Sequence, residues 1–341
     1  MIKKVNVKYM TKQEWLNERS KSIGGSEMGS ILGMNPWQSA YALWCERTGR
    51  TRPFEGNLAT EVGTALEPFV ADKFAEISGL GHRVMKSNFL YRNDKCPHMH
   101  ASPDRLIYAA RSTNAAIQAG LECKTTSAWN TQSFKGIEFP MQYYAQCVAY
   151  MTVLEVGTWY VAVLVGNHDF HIYKLVRQGV APFVAGNDFD RPGIEDWVEG
   201  VITVDDDDVS ALKEAADAFW HNLEEDVAPP PDGKDSSTEA IKTQYPRDNG
   251  AEIWLDGHQG DVNELILLKA EAKEIDEKIK AIENIFKYEM GEAEKAHVGT
   301  NLITWKTSNR TSVDTKKLKA EMPDIYTMYS RTSETRTFSI K

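Results

Sequence analysis

Apolar residues recur at three- and four-residue steps from Leu58 to Ile77, where Val62, Ala65, Leu66, Phe69, Val70 and Phe74 form one stripe, and this spacing predicts a helix. Upstream, Thr11-Lys12-Gln13-Glu14 has the form of a capping box and Ser39 can cap a helix ending near Gly49, so the chain to about Gly81 reads as helices broken at glycines. From His82 the period changes to two. The segments His82–Met85, Asn88–Tyr91, Leu106–Tyr108 and Ile117–Lys124 read as short strands separated by turn residues, an antiparallel meander. Met141–Leu154 returns to helical spacing, and the unbroken apolar run Thr158–Val165 predicts a strand buried on both faces. His171–Val176 adds another strand. Helix, three strands, helix and strand make a coherent α/β core over roughly 58–177.

Past Glu225 the pattern lapses. Val227-Ala228-Pro229-Pro230-Pro231 and the polar residues after it carry too little apolar content to pack, so 229–260 is expected to be an exposed linker between a domain over 1–228 and a C-terminal region over 261–341. Within that region Leu265, Leu268, Ala272, Ile275, Ile279, Ile282 and Phe286 alternate three- and four-residue steps, a coiled-coil-like seam. Such a stripe pairs with another chain or packs on its own protein, and the second is the expectation. The last forty or so residues, with Leu302–Trp305 and Thr337–Ile340, look like a small strand-containing module.

Composition adds two restrictions. In 341 residues no apolar run is long enough to span a bilayer and no apolar stretch follows the basic start, so the expectation is a cytoplasmic protein with no membrane partner. The four cysteines, Cys45, Cys96, Cys123 and Cys147, lie 51, 27 and 24 positions apart, which suits neither a disulfide scaffold nor a structural zinc site. A net charge of −10 argues against nucleic-acid binding until it is mapped along the chain. Gly186–Asp261 holds 21 acidic and 5 basic residues, a net of −16, which leaves +6 for everything else. The first fifty residues and Thr300–Lys341 each carry 8 basic and 4 acidic side chains. They are either phosphate-binding surfaces or ordinary solvated faces.

The candidate chemistry lies in Ser102-Pro103-Asp104, followed after 17 residues by Glu122-Cys123-Lys124. Alternation along a strand sends Glu122 and Lys124 to one face and Cys123 to the other. With Asp104 beside them, two carboxylates and the backbone carbonyl of Cys123 would make an all-oxygen site suited to Mg²⁺ or, alternatively, Mn²⁺. Lys124 is placed to orient or deprotonate a water there. An acidic residue two before a lysine also occurs at Asp232, Glu271, Asp276 and Asp314, but only Glu122 follows a Pro-Asp at hairpin distance. Glu67 is a further ligand or a solvated side chain. Gln146 and Tyr150 share one helix face at i, i+4.

Taken together, Trp15 with Arg19, Ile23-Gly24-Gly25-Ser26-Glu27, Gly63 with Glu67, Ser102-Pro103-Asp104, Leu121-Glu122-Cys123-Lys124 and Tyr143 with Gln146 resemble the PD-(D/E)XK nuclease superfamily. More narrowly, their order is similar to the phage recombination exonucleases related to lambda exonuclease, the YqaJ-like family, over about Trp15–Val165. The resemblance implies a restriction-endonuclease-like core, a mixed central sheet flanked by helices, with a C-terminal helical plus small β extension. It implies a Mg²⁺-dependent 5′→3′ exonuclease that resects linear double-stranded DNA to 3′ overhangs for single-strand annealing. Under it Glu67, Asp104 and Glu122 are metal ligands, Lys124 the catalytic lysine and Gln146 a supporting residue. Arg19 and Ser26 hold a 5′-phosphate and Tyr143 contacts DNA. A guanidinium suits that task because it grips a phosphate bidentately.

The same resemblance implies a toroidal homotrimer around DNA, a single-strand annealing protein as partner, and a phage, prophage or mobile element acting in a bacterial host. An iron–sulfur cluster of the kind some superfamily members carry is not expected, since all four cysteines precede Val148 and one sits inside the Glu-x-Lys motif. Two other functions stay open on sequence. A restriction-type endonuclease would cut closed circles, and a catalytically silent DNA-binding or assembly protein would keep the fold without the chemistry.

Overall fold

The computed structural model describes residues 1–128, 134, 139–183 and 194–340. In chain order its first half runs β1 (Ile2–Asn6), α1 (Lys12–Arg19), β2 (Ile23–Gly24), α2 (Gly25–Ile31), α3 (Ala40–Arg47), α4 (Leu58–Ile77), β3 (Val84–Met85), β4 (Phe89–Asn93), β5 (Cys96–Ala101), β6 (Arg105–Tyr108) and β7 (Ile117–Thr126). There follow α5 (Met141–Leu154), β8 (Thr158–Val165), β9 (Asp169–Arg177), β10 (Val198–Val204), α6 (Asp206–Glu224) and α7 (Asp235–Gln244). The chain divides into two compact units, Met1–Tyr245 and Pro246–Lys341. Helix starts follow local chemistry: Thr11 and Glu14 form a reciprocal capping box, and the Ser39 hydroxyl accepts the Ala42 N–H at 2.9 Å.

The first unit is built on a six-stranded mixed sheet in the order β10-β9-β8-β7-β6-β3. β6 pairs antiparallel with β7, whereas β7 and β8 run parallel because α5 carries the chain back across the sheet. β8 is the central strand, with Trp159 to Val163 all fully buried, as its unbroken apolar run predicts. Its alternate residues feed two cores. Trp159, Val161 and Val163 pack on the α5 side, while Tyr160 and Ala162 pack with Val70, Ala71 and Phe74 of α4. The result is a helix–sheet–helix sandwich, a mixed central sheet flanked by helices.

Several expectations are corrected. The strands after His82 do not form one meander: His82 and Arg83 lie in a 3₁₀ turn, and β4 and β5 belong to a separate four-stranded sheet in the order β1-β4-β5-β2. Thus the region before Gly81 is not purely helical, since β1 and β2 supply two strands of that sheet. Only the second half of the α4 stripe is covered: Val70, Ala71 and Phe74 are buried, whereas Val62 and Phe69 remain 43% and 53% exposed. The segment 229–260 is not all linker, because α7 packs on α3. The Ser39 N–H donates to Ser236 Oγ at 2.9 Å, and the Gln244 amide donates to Tyr41 Oη at 2.7 Å. Small residues, Ser237 and Ala240, are what α7 buries, which is why no hydrophobic signal marks it.

The second unit contains α8 (Gln259–Met290), the hairpin β11 (Lys295–Val298) and β12 (Asn301–Thr304), and the short helices α9 (Thr315–Glu321) and α10 (Pro323–Tyr329). Thr337–Ile340 forms no strand. Along the α8 seam, Leu268, Ile275, Ile279 and Ile282 are each at least half exposed among the described residues. Among the described residues, no helix is long and apolar enough to cross a membrane.

Candidate active site

Residues of β7 alternate between the two cores. Leu121 and Cys123 face α4, so Glu122 and Lys124 face α5, and the helix meets them with Gln146 and Tyr143. Glu122 is 3% exposed, and its Oε1 accepts the Lys124 ammonium at 2.7 Å and the Gln146 amide N–H at 2.6 Å. Gln146 closes the triangle by accepting from Lys124 at 3.1 Å and donating to Tyr150 Oη at 3.2 Å. The Lys124 Nζ stands 4.7 Å from the centroid of the Tyr143 ring. Burial alone would favour a neutral amine at Lys124. The carboxylates of Glu122 and Asp104 outweigh it and hold the ammonium's pKa above its ordinary value.

Asp104 sits in the turn before β6 and accepts the backbone N–H of Cys123 at 2.8 Å. Its pKa is pushed up to about 8, first by burial and then by the neighbouring Glu122 charge, against the pull of Lys124 and of the Cys123 N–H. The other oxygen of Glu122, Oε2, is buried and has no hydrogen-bond partner among the described residues. Two adjacent carboxyl groups, one with its pKa raised and the other with a buried, unpartnered oxygen, together form a set of oxygen donors.

Glu67 lies on α4, on the opposite side of the sheet, and reaches the edge of this group through Arg105. The Arg105 guanidinium pairs with Glu67 and donates to the Asp104 carbonyl at 2.7 Å. Lys86 stands 3.7 Å from the same Glu67 oxygen. Hence the structure joins Glu122, Lys124 and Gln146 directly, sets Asp104 beside them, and leaves Glu67 committed to an arginine. Among the described residues no three His, Cys, Asp or Glu side chains form a ready metal cage. Arg105 is absent from the residues singled out by sequence. Its position next to Asp104 is visible there, but its partner is not.

Arg19 ends α1, lies over the Trp15 ring at 4.6 Å, and points its Nη2 at Ser26 Oγ, 3.4 Å away. This pair is tied to the carboxylate group through α5. A Cβ on Gly25 would stand 2.4 Å from Tyr150 Cε1 and 3.1 Å from the Gln146 carbonyl oxygen, so only glycine lets the Gly24-Gly25 turn approach that helix. One face of α5 therefore supports both groups.

Residues 14–158 match the YqaJ-like viral recombinase domain family. Over 338 residues, 97% of this chain and 95% of the relative, the sequence is 30% identical to the uncharacterized protein YqaJ of Bacillus subtilis (strain 168). The chain belongs to the YqaJ-like recombinase family. The residues matched by the YqaJ-like domain run from α1 to the start of β8 and so include every side chain of both groups. In fold it is similar to the alkaline exonuclease LHK-Exo of Laribacter hongkongensis in complex with dAMP, with a TM-score of 0.44 and 16% identity over 63% of this chain and 94% of that one. It is also similar to a phage-related exonuclease from Haemophilus somnus 129PT, with a TM-score of 0.37 and 12% identity over 61% of this chain and 96% of that one.

Proposed function

We propose that this YqaJ-like protein is a divalent-metal-dependent 5′→3′ exonuclease that resects one strand of linear double-stranded DNA. One observation carries the reading: the Glu122–Lys124–Gln146 group and the separate Arg19–Ser26 pair lie against the same face of α5, brought together where Gly25 packs on Tyr150. A cutter of internal bonds needs the first alone, whereas an enzyme that starts at an end needs a second site for the terminal phosphate.

The unpartnered Glu122 Oε2 and the raised pKa of Asp104 fit a dication, with Mg²⁺ preferred to a softer metal because the donors are all oxygen. Glu122, Asp104 and the Cys123 carbonyl would hold it, with Glu67 joining on release from Arg105. Bound there, the ion supplies Lewis-acid stabilisation of charge on the scissile phosphate. Lys124, fixed by Glu122 and Gln146, adds a preorganised cation and a donor toward the same phosphate. Gln146 holds Lys124 and Glu122 at a set separation, and Tyr143 presents its ring under the ammonium. Arg19 and Ser26 take the 5′-phosphate.

Acting on DNA ends places the protein in the bacterial cytoplasm, where a single-strand annealing protein would use the 3′ overhang and a ring of three subunits would keep the enzyme on its track. The test is a gel. Linear duplex with a 5′-phosphate is labelled on each strand in turn and incubated with Mg²⁺ alongside supercoiled plasmid. Loss of the 5′-phosphorylated strand from linear DNA alone is expected. Linearised plasmid would make the protein an endonuclease, and intact DNA throughout would make it a binding protein.

A further inference from the structure

Close to Arg19 lies a histidine that none of the motifs include. His100 lies on β5 and is fully buried, with Nδ1 3.0 Å from Ser22 Oγ. Arg92 Nε, which can only donate, gives a hydrogen bond to the same Oγ at 3.2 Å. Ser22 is itself fully buried, so with Oγ accepting from Arg92 its hydroxyl proton is directed to His100 Nδ1. That leaves the imidazole proton on Nε2. Burial first, and then the charges of Arg19, Arg92 and Arg47, hold the ring's pKa well below the ordinary histidine value, so the ring is neutral.

Nε2 is buried and has no hydrogen-bond partner among the described residues. Gly24 marks where it points. A Cβ built on Gly24 would stand 3.1 Å from His100 Nε2 and 3.0 Å from Arg19 Nη2, with Glu27 Oε2 at 3.3 Å. The absent side chain of Gly24 thus lets an imidazole nitrogen and a guanidinium nitrogen close in on the same point of the turn. Glu27 is already engaged, accepting from the Gly24 N–H at 2.6 Å and from Arg47 at 3.1 Å.

We propose that His100 is a specificity-determining residue of the end-binding pocket, donating its Nε2–H to a terminal oxygen of the 5′-phosphate held by Arg19 and Ser26. The proposal rests on the reading of Arg19 and Ser26 given above. Arg19 attracts any phosphate by charge, including the internal phosphodiesters of the backbone. A neutral, directional donor adds discrimination instead: Arg19, Ser26 and His100 offer three donors to the three oxygens that only a terminal phosphate presents. A 5′-hydroxyl end leaves the buried N–H without a partner, which lowers binding by roughly 5- to 150-fold.

The full chain is compared with His100→Leu, which lacks the donor, and His100→Gln, whose amide nitrogen reaches the place of Nε2. Binding to 5′-phosphorylated and 5′-hydroxyl duplex is measured by fluorescence anisotropy in EDTA, and resection of the same duplexes with Mg²⁺. The ratio between the two ends is expected to fall roughly 5- to 150-fold in His100→Leu and to recover in His100→Gln. An unchanged ratio in His100→Leu, or an equal fall in both variants, overturns the proposal. Imidazole ¹⁵N spectra of the wild type decide the matter even if a variant fails to fold. A protonated Nε2 of His100 that shifts with the 5′-phosphorylated duplex and not with the hydroxyl duplex is expected, and no shift overturns it. Wild-type protein that cleaves without preference between ends sinks the Arg19–Ser26 pocket and His100 with it. Protein that prefers the phosphate in binding yet cleaves nothing sinks the nuclease reading alone, and the His100→Leu ratio still decides this one.

Discussion

Asp104 tests whether the buried carboxylates take a cation, because its proton must leave before the metal can use its oxygen. Its pKa of about 8, set first by burial and then by Glu122, means that at about pH 7 roughly nine carboxyls in ten are protonated. Removing that proton one pH unit below its pKa costs about 1.4 kcal/mol, so Mg²⁺ should bind about tenfold more weakly at pH 7 than well above pH 8. Calorimetric titration of Mg²⁺ into metal-free protein, in buffers of different ionisation enthalpy, should report release of about 0.9 proton at about pH 7 and almost none at about pH 9. Asp104→Asn should abolish the release. The folding linkage has a definite sign: the carboxyl is raised from its ordinary 3.8, so the stability it contributes to the metal-free chain is fully present below about pH 4 and is lost as the pH rises through about 8. Mg²⁺ should therefore raise Tm more at about pH 8 than at about pH 6. Binding with no proton release near neutral pH, or the same release from Asp104→Asn, would refute the reasoning.

Lys124→Ala should reduce strand removal by at least about a hundredfold while DNA is still retained in a gel shift, since it deletes the fixed cation and leaves Glu122 held by Gln146 alone; ordinary cleavage by this variant would remove the role assigned to Lys124. Gly25→Ala places a methyl 2.4 Å from Tyr150 Cε1 and should destabilise the fold by about 1–3 kcal/mol in urea denaturation, with no change expected only if the turn does not pack on α5. Truncation after Tyr245 should keep the cooperative unfolding of the first unit, whereas truncation after Ala228 strips α7 from Ser39 and Tyr41 and should lower Tm; equal melting of the two would contradict the packing of α7 on α3.

What sequence makes legible here is whatever depends on local period. Alternation along Ile117–Thr126 is enough to place Glu122 and Lys124 on one face and Cys123 on the other, and the three- and four-residue steps locate α4 and α5. The small sheet escapes because its pairings are long-range: β1 meets β4 some ninety residues away, β2 is two residues long, and β5 reads Cys-Pro-His-Met-His-Ala without a β-branched residue. Both residues that sequence misses depend on long-range strand pairing, His100 in the small sheet and Arg105 in the large one. His100 comes close to Arg19 only because β5 lies beside β2, and Arg105 meets Glu67 only because the register of β6 turns it toward α4.

The same non-local contacts choose between roles that sequence leaves open. Lys124 could be read as a base or as a fixed charge from its position alone. With its ammonium between Glu122 and Gln146, and its pKa raised by two carboxylates, it keeps its proton across the range in which Asp104 loses one. The charge that changes near neutral pH in this site is therefore carried by Asp104, and under the proposed function Lys124 would be the constant cation against which a phosphate is held. A rate that rises with pH toward about 8 in the wild type and loses that dependence in Asp104→Asn follows from this division; a rise that survives the substitution would hand the titration to another group.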